Sequence, residues 1–246
     1  MPSFPPMGHF LLGISLIVSQ ATTAIALPVL NFTDRAAPQV MSNSKIRFPQ
    51  ADNRGAPVAT SGGGTRGETC LLSPQSILFP VAKDLNVVTT TANPTIFVYL
   101  PEHRADDGHL TLLNAQGDEV YHADVTLSGE NAILAIALPE SLELEPDQVY
   151  GWRFAIHCAS KVVDGATVTD DFTEASLTRL LLKTVDSTLP ALDQAQFYAQ
   201  NNLWNDVLTL MVPLREQEPE TWQALLDYLN LGEFADAKVI VIDPSL

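Results

Sequence analysis

Two hydrophobic periodicities divide the chain. Between Cys70 and about Leu182 apolar residues recur at every second position. Ile96, Val98 and Leu100 alternate with Phe97 and Tyr99, and Ala132, Leu134, Ile136 and Leu138 alternate with Ile133, Ala135 and Ala137. In the run Val149 to Cys158, Tyr150, Trp152, Phe154, Ile156 and Cys158 share one face, and Arg153 and His157 share the other with Gly151 and Ala155. Such alternation predicts strands, and the aromatic face is core. Turn signals separate the runs at Asn93-Pro94, Asn114 to Asp118, Ser128-Gly129 and Asp164-Gly165. Many short strands with no helical pattern between them predict an antiparallel β-sandwich. From about Leu189 the spacing becomes helical: Ala195, Tyr198, Trp204, Val207, Met211, Leu214 and Pro219 follow the intervals of small, aromatic and terminating residues in one tetratricopeptide unit of about 34 residues. Trp204-Asn205-Asp206-Val207 is echoed by Phe234-Ala235-Asp236-Ala237, so the pattern reads as one helical hairpin plus a remnant.

A local motif sharpens the sandwich expectation. Leu144 to Trp152, LEPDQVYGW, resembles the tyrosine corner of immunoglobulin and fibronectin-like domains. In that motif a leucine caps the core, a proline turns the chain between sheets and the tyrosine hydroxyl bonds back to upstream backbone. The alternative is an ordinary hairpin turn. The expected fold is therefore mainly β with a C-terminal α part, an immunoglobulin/fibronectin-like antiparallel sandwich followed by a short helical hairpin. A lone hairpin of this kind cannot bury its own apolar face, so it is expected to pack on the sandwich. The competing reading uses Tyr198, Trp204 and Trp222 to dock a partner protein.

The remaining segments complete a four-part organisation. Residues 1–26 read as a signal peptide: Phe10 to Val18 is a short apolar run, and Ala24-Ile25-Ala26 fits the pattern after which signal peptidases cut. The run is shorter than the roughly 20 apolar residues a bilayer requires. The segment before it carries no Lys or Arg, which leaves a poorly cleaved anchor as the alternative. Residues 27–66, with Pro28, Pro38, Pro49, Pro57 and the cluster Gly62-Gly63-Gly64, read as a linker, mobile or hugging the surface. The sandwich is assigned to 67–185 and the helical part to 186–240.

Charge excludes one class of partner. The formal net charge is −16, and residues 1–26 contain none of it. A duplex needs clustered Lys and Arg to displace its counterions, so nucleic acid is excluded; acidity here favours solubility. No second apolar run predicts stable membrane insertion once the signal is removed.

The chain has two cysteines, Cys70 and Cys158. Behind a signal peptide they predict one disulfide that ties the start of the sandwich to the far end of its most aromatic strand. Two buried unpaired thiols are the alternative. The spacing is far from the C-x-x-C of redox centres.

Several ordered motifs carry a family resemblance. Thr60 to Cys70 (TSGGGTRGETC), Thr89 to Pro101 (TTTANPTIFVYLP), Gly117 to Tyr121 (GDEVY) and Tyr150 to Phe154 (YGWRF) resemble the family called domain of unknown function 928, as does the Tyr- and Trp-containing segment Phe197 to Leu210. The resemblance covers residues 57 to 235. It implies an exported, cyanobacterial periplasmic protein and brings no established chemistry.

Candidate chemistry is sparse. The glycine cluster through Arg66 lacks the Lys-Ser/Thr ending of a P-loop, follows no strand and opens no helix. It reads as a turn feeding Cys70, with Arg66 a candidate anion or partner contact. His103, His109, His122 and His157 are scattered, with no zinc-ligand spacing, and read as solvated surface residues. No G-x-S-x-G elbow announces a serine nucleophile. Asp106-Asp107, Asp170-Asp171 with Glu174, and Glu143, Glu145 and Asp147 could line a calcium loop, but none has EF-hand spacing. No catalytic, cofactor or metal residue is assigned. The sequence therefore predicts a non-enzymatic periplasmic or secreted protein that binds or assembles with an unidentified envelope protein, or with copies of itself. The alternative is a glycan-acting hydrolase with paired carboxylates.

Overall fold

The structure, a computed structural model, describes residues 44–49, 69–73, 75–157, 171–182 and 185–243. The signal peptide, most of the linker with Arg66 and the glycine cluster, and Cys158 lie outside the described residues. The described residues form nine strands and three α-helices: β1 (Phe79–Pro80), β2 (Asn86–Thr89), β3 (Thr95–Leu100), β4 (Asp107–Leu113), β5 (Glu119–Thr126), β6 (Ala132–Ala137), β7 (Val149–His157), β8 (Asp171–Arg179), α1 (Ala191–Gln200), α2 (Trp204–Met211), α3 (Pro219–Tyr228) and β9 (Lys238–Ile242).

The strands make two sheets, in the orders β1-β3-β6-β9 and β2-β8-β7-β4-β5. The orders β1-β3-β6 and β8-β7-β4 are those of strands A-B-E and G-F-C in immunoglobulin-type sandwiches. In the five-stranded sheet β7 alternates as the sequence predicts, and β4 beside it follows the same period. Leu110, Leu112, Trp152, Phe154 and Ile156 are buried, while Arg153 stays exposed. Gly108 sits where β7 crosses closely, since a Cβ there would lie 2.8 Å from the Ala155 carbonyl oxygen. The tyrosine corner is formed: Leu144 and Tyr150 are buried, and the Glu145 N–H donates to the Tyr150 hydroxyl at 3.1 Å. Arg179 reinforces the corner by donating from Nη1 to the Leu144 carbonyl at 2.8 Å.

The four-stranded sheet differs because it is buried on both faces. Ile96, Val98, Leu134 and Ile136 pack toward the five-stranded sheet. Their neighbours Phe97, Tyr99, Ile133 and Ala135 join a second core with α1, α2 and α3. Double burial explains why β3 (TIFVYL) and β6 (AILAIA) are apolar throughout. The helices are thus a third layer on the sandwich, and Trp204 and Trp222 fill it. The segment 44–49, predicted to be mobile or surface-hugging, is tucked into the same layer. Ile46 is buried, Phe48 stacks on Tyr228 at 5.3 Å between ring centroids, and the Arg47 backbone exchanges hydrogen bonds with Gln196.

Two expectations need correction. The sheets are not wholly antiparallel, because β2 pairs with β8 and β6 with β9 in parallel. Each of these pairs joins strands separated by a long stretch of chain, which permits parallel pairing where a tight turn would not. In addition, the helical region assigned to 186–240 ends in a strand. The echo at Phe234 to Ala237 continues no helix; after a single 3-10 turn at Gly232–Phe234 the β-branched run KVIVI enters the sheet as β9.

Candidate functional site

Three places gather chemistry. The first is the junction of α2 with the loop after β2. Asp206, in the first turn of α2, is 4% exposed and accepts hydrogen bonds from three successive threonines: Thr89 Oγ1 at 2.9 Å, the Thr90 N–H at 3.0 Å and Thr91 Oγ1 at 3.0 Å. Burial pushes its carboxyl above the usual aspartate range, and the threonine bonds oppose that shift without cancelling it. The clasp anchors α2 to the sheet. Beside it opens a cleft of about 410 Å³ walled by the stretch from Val81 to Val88 on one side and by Asn202, Trp204 and Asn205 on the other. The Lys83 ammonium lies 4.0 Å from the centre of the Tyr228 ring and 5.5 Å from that of Trp204, and it donates to the Tyr228 hydroxyl. Asp84 is the cleft's one carboxylate.

The second place is the open side of β9. Among the described residues β9 pairs only with β6, which leaves its other edge without a strand. Val241 is 66% exposed. Alongside lies a cavity of about 260 Å³ lined by Lys238 and Ile240 of β9 and by Leu127, Glu130 and His103. His103 is 4% exposed; its Nδ1 is 2.8 Å from the Pro101 carbonyl oxygen, and its Nε2 has no partner among the described residues. A surface role for His103 is thereby corrected. Nearby on β5, Tyr121 has its phenol pushed up first by burial and then by the negative charge of Asp243.

The third place is the outer face of the five-stranded sheet. Register aligns three histidines that look scattered in sequence. The His109 ring centroid lies 4.6 Å from that of His157 and 5.4 Å from that of His122. Arg153 lies over Phe172 at 4.3 Å and pairs with Glu174 at 2.9 Å. No group with metal-ligating geometry occurs among the described residues.

The structure places the other sequence candidates as follows. Trp204 and Trp222 are 7% and 4% exposed, and the Trp222 Nε1–H donates to the Ala235 carbonyl at 3.1 Å. Both indoles are largely buried in seating the helices on the sheet, and Trp204 also forms part of the cleft wall. Tyr198 is half-buried against the same core. Cys70 is fully buried, with its Sγ 3.9 Å from the Ile156 carbonyl oxygen. Asp171 turns inward to accept from Cys70 N–H and Thr69 Oγ1, so it belongs to the structure around Cys70. Sequence reading missed Asp206, Lys83 and Asn205. The one available signal was the Thr89-Thr90-Thr91 run, a cluster of donors that needs an acceptor.

The fold and these sites define an immunoglobulin-like sandwich with a helical layer over one sheet. The family described as Domain of Unknown Function (DUF928) matches residues 61–239, and the chain belongs to it. No curated protein matches. Among solved structures the chain is similar to β-glucuronidase 3 of Bacteroides uniformis, with 12% identity, 66% of this chain and 27% of that chain covered, and a TM-score of 0.26. It is also similar to the β-glucuronidase of Parabacteroides merdae, with 10% identity, 66% and 28% coverage, and a TM-score of 0.25. The chain spans about a quarter of the length of these enzymes, and at such scores the likeness carries no argument about function. No helix among the described residues is long and apolar enough to cross a membrane.

Proposed function

We propose that the protein is a non-enzymatic, exported binding or assembly module that recognises an extended segment of a partner polypeptide along β9. The open edge of β9, with Val241 exposed, carries this reading. Natural sheets protect such edges with charge, proline or bulges, and β9 has only Lys238 at its first position. Strand addition draws affinity from main-chain hydrogen bonds and specificity from pockets for alternate side chains. The cavity beside β9 offers such a pocket, with His103 in its wall. The tetratricopeptide-like spacing of the helices serves their packing on the sheet in this reading. Against a glycan hydrolase stands the distribution of carboxylates: the two larger described cavities hold one each, Asp84 and Glu130, where that chemistry uses a facing pair.

The family resemblance supports a cyanobacterial, periplasmic setting, and the apolar run with its Ala24-Ile25-Ala26 site supports export. The Cys70–Cys158 disulfide belongs to the same proposal. Its support is that no free cysteine occurs among the described residues and that Cys70 Sγ approaches Ile156, two positions before Cys158. A photoreactive phenylalanine at Val241, irradiated in cells that export the protein, is expected to give a heteroadduct of discrete mass, and the same probe at Val149 is not. Self-adducts alone would replace the heterologous partner with a homo-oligomer, and no adduct at all would overturn the edge reading. Release of reducing ends from peptidoglycan by the purified protein would restore the enzyme alternative.

A further inference from the structure

We infer that the cleft between the Val81–Val88 stretch and α2 is a binding site for a small carboxylate-bearing molecule. Two buried donors carry the argument. Among the described residues neither Trp152 Nε1–H nor the Asn205 Nδ2 amide has an acceptor, and the two residues are only 2% and 6% exposed. A buried donor left unpaired is costly, and two at one place call for an acceptor that the described residues do not supply. Both residues line the same small cavity of about 10 Å³, room for about one oxygen atom. That cavity shares Val81, Ala82, Val87 and Asn205 as walls with the 410 Å³ cleft, so the two donors lie behind a wall of the cleft, and a small shift of Asn205 would open them to an oxygen of a molecule bound there.

The charge of the cleft selects the ligand. In a chain of net charge −16, Lys83 has no carboxylate partner among the described residues and is instead held over the Tyr228 and Trp204 rings. A fixed ammonium in the cleft and two neutral N–H donors behind it suit a carboxylate, an acceptor with two oxygens and no donor. Asp84, beside Lys83 on the same wall, suits the hydroxyls or ammonium of the same molecule. The cleft volume falls in the range of small-molecule sites. An acidic sugar and an amino-acid-type carboxylate share this chemistry.

Indole ¹H–¹⁵N resonances offer a direct test, because the chain has three tryptophans and Trp152→Phe identifies the resonance of interest. Titrating the oxidised protein with acetate, N-acetylglycine and glucuronate is expected to move the Trp152 indole resonance saturably with at least one of them. Acetamide and glucose are expected to leave it in place. A response to N-acetylglycine or to glucuronate tells the two sources apart. Lys83→Met, checked for an unchanged melting temperature, is expected to weaken binding at least about tenfold, a loss of about 1.4 kcal/mol. An unmoved Trp152 resonance at about 10 mM of every carboxylate, or equal movement with the neutral analogues, overturns the site and leaves the small cavity to a structural water. The wild-type titration decides the matter even if a variant fails to fold. Because β9 lies elsewhere, Val241→Asp is expected to leave the titration unchanged, so failure here and failure of strand addition are separable.

Discussion

At the scale of single residues the clearest commitment is Asp206. Its carboxylate sits where water cannot solvate it and is kept there by three threonines that would otherwise lack an acceptor. Asp206→Asn keeps the size but places an NH₂ against donors, and it is expected to cost about 1–3 kcal/mol in denaturant unfolding. The pH dependence has a definite sign. With the folded-state value raised, the folded protein binds the extra proton, so Asp206's contribution is fully present below the ordinary aspartate value and is lost as pH rises through the raised one. The deficit of Asp206→Asn relative to wild type is therefore expected to grow on acidification through that window; a deficit that shrinks would contradict the shift. Tyr150→Phe tests the corner. It strips the acceptor from the Glu145 N–H and is expected to lower stability by about 1 kcal/mol with little change in the denaturant slope.

At the scale of elements, much was legible. The alternation of β7 gave its inward face, and the corner motif gave the turn before it. The runs IFVYL and AILAIA were read as strands, but their second apolar face acquires its reason only from the helices that cover it. What escaped the sequence depended on pairing across distance. Asp206 meets Thr89 and Thr91 from 117 and 115 positions away, and the histidines of β4, β5 and β7 meet only through register. β9 escaped because a short β-branched run after a helical period reads as the end of a helix. Deleting residues 238–246 removes β9, bares the edge of β6 and withdraws Val239 from the helical core. The expected outcome is faster amide exchange in β6 and the helices than in β4 and β7, measured under native conditions.

For the molecule as a whole, the four-stranded sheet is the shared wall of two cores, one with the opposing sheet and one with the helices. The helical layer therefore cannot be removed from the sandwich without exposing Phe97, Tyr99 and Ile133. A chain ending at Arg179 is expected to be aggregated or loosely packed, as judged by dye binding and lost near-ultraviolet circular dichroism. The proposed disulfide would close a loop of 88 positions. On the chain-entropy view, reduction lowers stability by at most about 4.6 kcal/mol, and thiol titration of unreduced protein is expected to find none; two free thiols would remove the bridge.

The order of elements along the chain adds a kinetic consequence. β6 acquires its second neighbour only after β7, β8 and three helices have been made and β9 follows them. As the chain is made from its N-terminus, the half-built sheet must wait with one rim uncovered until β9 emerges. Closure at such sequence separation is slow by nature, so the insertion of β9 paces the completion of the fold, and until then the bare edge of β6 is open to pairing with any other strand.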